Sequence, residues 1–131
     1  MDPITLILAA LAAGAASGAK DVATDAIRDL YGGLKGLVHK KFQGDDVKEV
    51  ALKQYEADPE TWKEPLKKAL TDAGVDKDEE IQERAKALLD EIPPGSEVSN
   101  YVNNIYGGQV VGLVQGSGNT TTINTGGPAG G

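Results

Sequence analysis

The sequence predicts an all-α fold, a bundle of about five helices with an apolar N-terminal helix, followed by a disordered tail that can form cross-β structure. Three observations carry this. Apolar residues recur at helical spacing as far as Ile92, Asp, Pro and Gly punctuate them, and composition breaks abruptly at Pro93-Pro94-Gly95. The domain limits that follow are 1–92 for a helical effector domain, 93–97 for a Pro/Gly hinge and 98–131 for a Gly/Asn-rich tail.

The first helix is read from "PITLILAALAAGAASGA", Pro3 to Ala19, which holds no charge. A helix of that length reaches most of the way through a bilayer's hydrocarbon core. Asp2 is the only charge before the run, whereas a secretory signal needs a basic start, so a core helix is the favoured resting state. Ala10, Gly14 and Gly18 lie four apart and let another helix approach closely.

In the second segment, "KDVATDAIRDLYGGLKGLVHKKF", the apolar stripe is Val22, Ala26, Ile27, Leu30, Leu34, Leu37 and Val38. Gly32, Gly33 and Gly36 weaken that helix or mark a bend. A third helix runs from Asp46 to Ala57, with Val47, Val50, Ala51 and Tyr55 on one face. Asp58-Pro59 starts the fourth, whose stripe is Trp62, Leu66, Ala69, Leu70 and Ala73, with a kink or restart at Pro65 and a stop at Gly74. Asp76 and Glu79 resemble a capping box for the last helix, which carries Ile81, Ala85, Leu88, Leu89 and Ile92.

Composition excludes several functions. The first 92 residues hold all 13 basic and 19 of the 20 acidic side chains, so clustered phosphate contacts and a nucleic-acid partner are not expected. Cysteine is absent and His39 is the single histidine, which removes thiolate sites and argues against zinc; no cofactor is expected. No nucleophile, base and orienting group stand in a recognisable pattern, so the chain reads as no enzyme. Lys35, His39, Lys40 and Lys41 near the end of the second helix complement its dipole, and form a candidate lipid-contact patch.

Beyond Ser96 the sequence offers β-prone runs, "VSNYVNNIY", "QVVGLV" and "TTTIN", separated by Gly-rich breaks. Stacked on copies of itself, such a segment pairs every backbone group and builds amide ladders without piling like charges on each other. The candidate stacking residues are Asn104, Ile105, Gln109, Val110, Val111, Gly112, Leu113, Val114, Gln115, Gly116, Gly118, Asn119, Ile123 and Asn124.

"VVGLVQGSGN" resembles the Gly-rich amyloid signalling motifs at the ends of some bacterial proteins. It looks more loosely like the RHIM of necroptosis proteins, through Val114-Gln115, Gly116 and Asn119, but lacks the apolar residue a RHIM places between Gln and Gly. With the apolar first helix and the helical domain, the whole arrangement resembles the bacterial Bell domain proteins, considered analogous to the fungal HeLo and HELL domains. The resemblance implies a cell-death effector in prokaryotic immunity, cytoplasmic at rest. An NLR-type receptor with a matching motif would template tail fibrils. The first helix, through Ile4, Leu6, Ile7, Leu8, Leu11, Gly14 and Gly18, would then attack the inner face of the cell membrane and its lipids. The alternative is an adaptor whose tail polymerises and whose bundle binds a partner without membrane activity.

Overall fold

The computed structural model describes residues 2–106, which form six α-helices and one 3-10 turn, with no strand among the described residues. The helices are α1 (Pro3–Ala19), α2 (Asp25–Phe42), α3 (Asp46–Ala57), α4 (Pro59–Asp72), α5 (Glu79–Glu91) and α6 (Glu97–Tyr106); the 3-10 turn is Val75–Lys77.

A side-chain cap starts each of the six α-helices. The Asp2 carboxylate accepts from the Thr5 N–H at 2.7 Å, Asp45 from the Val47 and Lys48 N–H groups at 3.0 and 3.2 Å, and Asp78 from the Ile81 N–H at 3.1 Å. Thr24, Asp58 and Ser96 do the same for α2, α4 and α6. Asp78, not Asp76, caps α5, because the buried Val75 winds the preceding residues into the 3-10 turn. Pro65 neither breaks nor restarts α4; it sits exposed inside one continuous helix.

Three of these caps make stability depend on acid. Asp2 and Asp78 are held below the usual carboxylate range chiefly by the backbone N–H groups they accept from, and Asp45 chiefly by the Lys48 side chain. A lowered folded-state pKa contributes stability that is complete above the unfolded value of about 3.9 and lost as pH falls through the folded value. Asp78→Asn keeps a capping acceptor but has no proton to gain. Acid titration followed by circular dichroism should therefore show a shallower loss of stability for this variant than for the wild type, starting from a lower stability at pH 7, because Asn lacks the charge that the Ile81 N–H and Lys41 favour. Identical acid limbs would remove Asp78 from the explanation.

The centre of the bundle is α1. Its apolar residues occupy every side of the helix, so it satisfies them only by being surrounded. It touches each of the other five helices, and Ile7, Leu8, Ala10 and Leu11 are at most 1 % exposed. Alanines let those neighbours approach closely. From the other elements Leu34, Val38, Leu52, Leu66, Leu70, Ile81 and Leu88 close the same core, and Trp62 packs against it half-buried.

Three expectations are corrected. The buried face of α3 is Ala51, Leu52 and Tyr55, while Val47 and Val50 are exposed at 79 and 50 %. Val22 lies outside α2, ahead of the Thr24 cap, and Ala26 faces solvent. The segment 98–106, expected as a β-prone run beyond a hinge at 93–97, is helical together with Glu97 of that hinge, and the resulting α6 buries Val98, Val102 and Ile105 against the bundle. Asn104 and Ile105 of the expected stacking set belong to that helix. The rest of that set, Gln109 to Asn124, lies outside the described residues.

The helix α2 runs unbroken through all three of its glycines. A Cβ at Gly33 would stand 2.7 Å from Arg84 Nη1 of α5, the end of a flexible side chain that can move aside, so packing does not demand glycine there.

Candidate functional site

The residues expected to act on a membrane, Ile4, Leu6, Ile7, Leu8, Leu11, Gly14 and Gly18, are all on α1. Ile4, Ile7, Leu8, Leu11 and Gly14 are buried, Leu6 is half-buried and Gly18 is exposed. Any function of α1 outside the bundle therefore requires that its neighbours let go. What holds it is the site of interest.

Apolar contact is not the whole restraint. The Tyr55 hydroxyl, fully buried on α3, donates to the Leu8 carbonyl at 2.6 Å and also meets the Tyr106 hydroxyl. The Leu8 carbonyl lies in mid-helix, so Tyr55 uses its second lone pair. Burial pushes the Tyr55 hydroxyl well above the ordinary phenol range and Tyr106 to about 12, so both stay protonated and able to donate at neutral pH. One tyrosine thus ties the middle of α1 to the last turn of α6.

The two ends of α6 are fixed on either side of that link. At its start, Glu97 pairs with Lys20 at the end of α1 (3.6 Å), and Lys20 stands over the Tyr101 ring. At its end, Lys63 of α4 donates to the Ile105 carbonyl at 3.3 Å and lies 5.5 Å from the centre of the Tyr106 ring. The exposed Lys20–Glu97 pair adds little stability. Together these contacts show that α6 runs back along α1, and the chain leaves it at Tyr106.

A second restraint acts on the small-residue face. The Tyr31 ring of α2 covers Gly14, where any Cβ would fall inside the ring's contact distance. The Tyr31 hydroxyl donates to Glu56 of α3, which also takes an ion pair from Lys35 at 2.9 Å. Beside this cluster an open groove of about 480 Å³ runs past Gly14, Ala15 and Gly18.

The candidate lipid patch is largely spent within the fold. Lys35 is paired with Glu56, His39 Nδ1 with Glu49, and Lys41 with Asp78 at 3.4 Å, while Lys40 is exposed. The first two pairs join α2 to α3, and the third joins α2 to the cap of α5. Sequence reasoning had no means of finding Glu56, Glu49 or Asp78 as partners, because all three lie outside α2, two on α3 and one at the cap of α5. It also took Tyr55 only as an apolar face residue. The clue available was that a buried tyrosine needs a partner for its hydroxyl.

No group of His, Cys, Asp and Glu among the described residues is placed to hold a metal ion. No helix among them is long and apolar enough to cross a membrane.

Comparison with known proteins adds one finding. The family model described as Het-E N-terminal domain matches residues 1–127, so the match continues past α6. No curated protein and no solved structure matches the chain.

Proposed function

The chain belongs to the Het-E N-terminal domain family, a HET-like cell-death domain, and we propose that it is a cell-death effector whose α1 permeabilises membranes once released from the bundle. One observation supports this reading above the others. The most apolar helix stands at the centre of the fold, and the Tyr55 hydroxyl joins it to the helix from which residues 107–131 lead away.

On this reading residues 107–131 are the receiving end. Gln109 to Asn124 stack into a cross-β fibril, templated by an NLR-type receptor that carries a matching motif, in a prokaryotic immune pathway. Stacking gathers many bundles at high local concentration. Strain on α6 then breaks the Tyr106–Tyr55 contact and uncovers α1. The resting protein is cytoplasmic and the released helix acts at the inner face of the cell membrane, without catalysis or cofactor. Membrane lipids and further copies of the chain are its other partners.

The length of α1 shapes how it acts. Its 17 residues span about 26 Å, a little short of a bilayer's hydrocarbon core of about 30 Å. A short span thins the bilayer or assembles with its neighbours, and Gly14 and Gly18 offer a face for such assembly. The same shortness is the observation that favours the second reading, an adaptor that polymerises and never enters lipid.

Ala15→Lys separates the two. Ala15 is half-buried at an open groove beside Glu56, so a lysine is accommodated in the folded bundle. In hydrocarbon the same lysine costs up to about 3 kcal/mol. With the chain assembled on anionic vesicles, wild type should release a trapped dye and Ala15→Lys should do so at least about tenfold more slowly, with an unchanged melting curve. Equal leakage, or none from either protein, would transfer support to the adaptor. Fibre diffraction from a peptide of residues 107–131 tests the other half, and reflections near about 4.7 and 10 Å are expected.

A further inference from the structure

A second, smaller pocket lies at the same C-terminal end of α1 as the groove beside Tyr31, on the side that faces α5 and α6, and nothing in the proposed release mechanism uses it. Its volume is about 250 Å³ and its walls come from α1, the approach to α2, the end of α5 and the start of α6. Ile27, Ile92, Pro93 and Val98 make most of the lining, with Val22 at its rim, 56 % exposed.

Ser17, Ser96 and Glu97 are the polar members of that lining, and the first of them is unusual. Ser17 is 1 % exposed, yet its Oγ has no hydrogen-bond partner among the described residues. A buried hydroxyl left in this state is costly, and one that persists deserves a reason. The local backbone supplies a clue. Asp21 adopts a left-handed conformation (φ 59°), the Asp21 N–H donates to the Gly18 carbonyl and the Val22 N–H to the Ser17 carbonyl. In this way of ending a helix, the residues at the positions of Ser17 and Val22 commonly meet as an apolar pair. Here one of the two is a serine, and the space between them and α6 is open.

We propose that this pocket binds a small neutral amphiphile, an apolar body the size of a short alkyl chain or single ring with one hydroxyl or carbonyl group that hydrogen-bonds to Ser17 Oγ. Size agrees, since an apolar cavity of about 150 Å³ already takes a benzene ring. Chemistry agrees as well. A water needs two to four polar partners, and besides Ser17 the polar side chains of the wall are already engaged, Ser96 by the Ser99 N–H and Glu97 by Lys20. Charge selects for a neutral head, because Glu97 lines the pocket and is itself paired with Lys20. A carboxylate would meet Glu97, and an ammonium would compete with Lys20. The ligand touches α1, α5 and α6 together, so it binds the closed bundle alone and raises its stability in proportion to occupancy. Binding here does not depend on any membrane role of α1.

The probe is n-octanol, titrated into the full chain and followed by amide and methyl chemical shifts. Saturable shifts are expected at Ser17, Val22, Ile27, Ile92 and Val98, with a melting temperature that rises as they saturate. Octanoate should bind more weakly than n-octanol. Ser17→Ala should fold at least as well as wild type, since it removes an unpartnered hydroxyl, and should weaken n-octanol binding about fivefold. Val22→Glu, an exposed change at the rim, should weaken it too. Shifts that are absent, unsaturable or spread over the surface would overturn the assignment. Equal n-octanol affinity in Ser17→Ala would do the same, as would a long-lived water at Ser17 that n-octanol does not displace.

Discussion

Leu8→Asp should abolish cooperative folding of the domain at 25 °C, with loss of helical circular dichroism and of any melting transition. Leu8 is 1 % exposed at the centre of a helix that contacts every other helix. An aspartate there has no cation beside it, and Tyr55 already gives its hydroxyl to the Leu8 carbonyl. Burying an unpaired carboxylate costs several kcal/mol even after its pKa rises, against a total of about 5–10 kcal/mol for a domain of this size. Leu11→Ala makes a milder comparison. It leaves a cavity worth about 3 kcal/mol, which should lower the melting temperature by roughly 15 °C while the chain still folds. A cooperative melt from Leu8→Asp would show that α1 is not held at the core. The consequence for function is practical. A charge at Leu8, or at Gly14 beneath the Tyr31 ring, silences the protein by unfolding it, so neither variant reports on membranes. The half-buried Ala15 does.

Five of the six helices were legible in the sequence because their signals were local. Asp46 to Ala57 is α3 to the residue, and Asp58-Pro59 opens α4. The apolar N-terminal run was readable as a core helix because nothing charged interrupts it. What failed was anything decided between helices. In α3, Val47 and Val50 compete with Leu52 for the same pair of partners, Ala51 and Tyr55. The choice between two overlapping stripes falls to whichever places Tyr55 against Leu8, and that contact spans 47 residues. The basic patch failed in the same way, its acids arriving from α3 and from the cap of α5.

The omission of α6 has a different cause. Val98, Val102 and Ile105 recur at helical spacing, and Gly95-Ser96-Glu97 supplies a left-handed glycine, a cap and an acidic first residue. Those signals were present but outweighed by β-branched and aromatic residues whose intrinsic preference is for strands. Burial against α1 overrides that preference.

Val102→Asp should detach α6 and leave the remaining bundle folded. Val102 is fully buried, with Val98 and Ile105 at 3 and 7 %. These three side chains are most of what α6 contributes, each worth about 1.5–3 kcal/mol when fully buried. The polar contacts at either end are partly exposed and do not replace them. Hydrogen exchange should therefore accelerate throughout α6 and at the α1 amides near Leu8, while α2 to α5 keep protection and most of the helical signal survives. If α6 is the restraint on α1, the variant should release dye from anionic vesicles without fibril formation, at least about tenfold faster than unassembled wild type. Tyr55→Phe, which removes the hydroxyl link and keeps the ring, should fall between the two. Complete unfolding of Val102→Asp would mean that α6 is as integral as α1 and cannot serve as a release. A folded chain with α6 loose and vesicles intact would mean that uncovering α1 is not enough, and the adaptor reading would then explain the protein better.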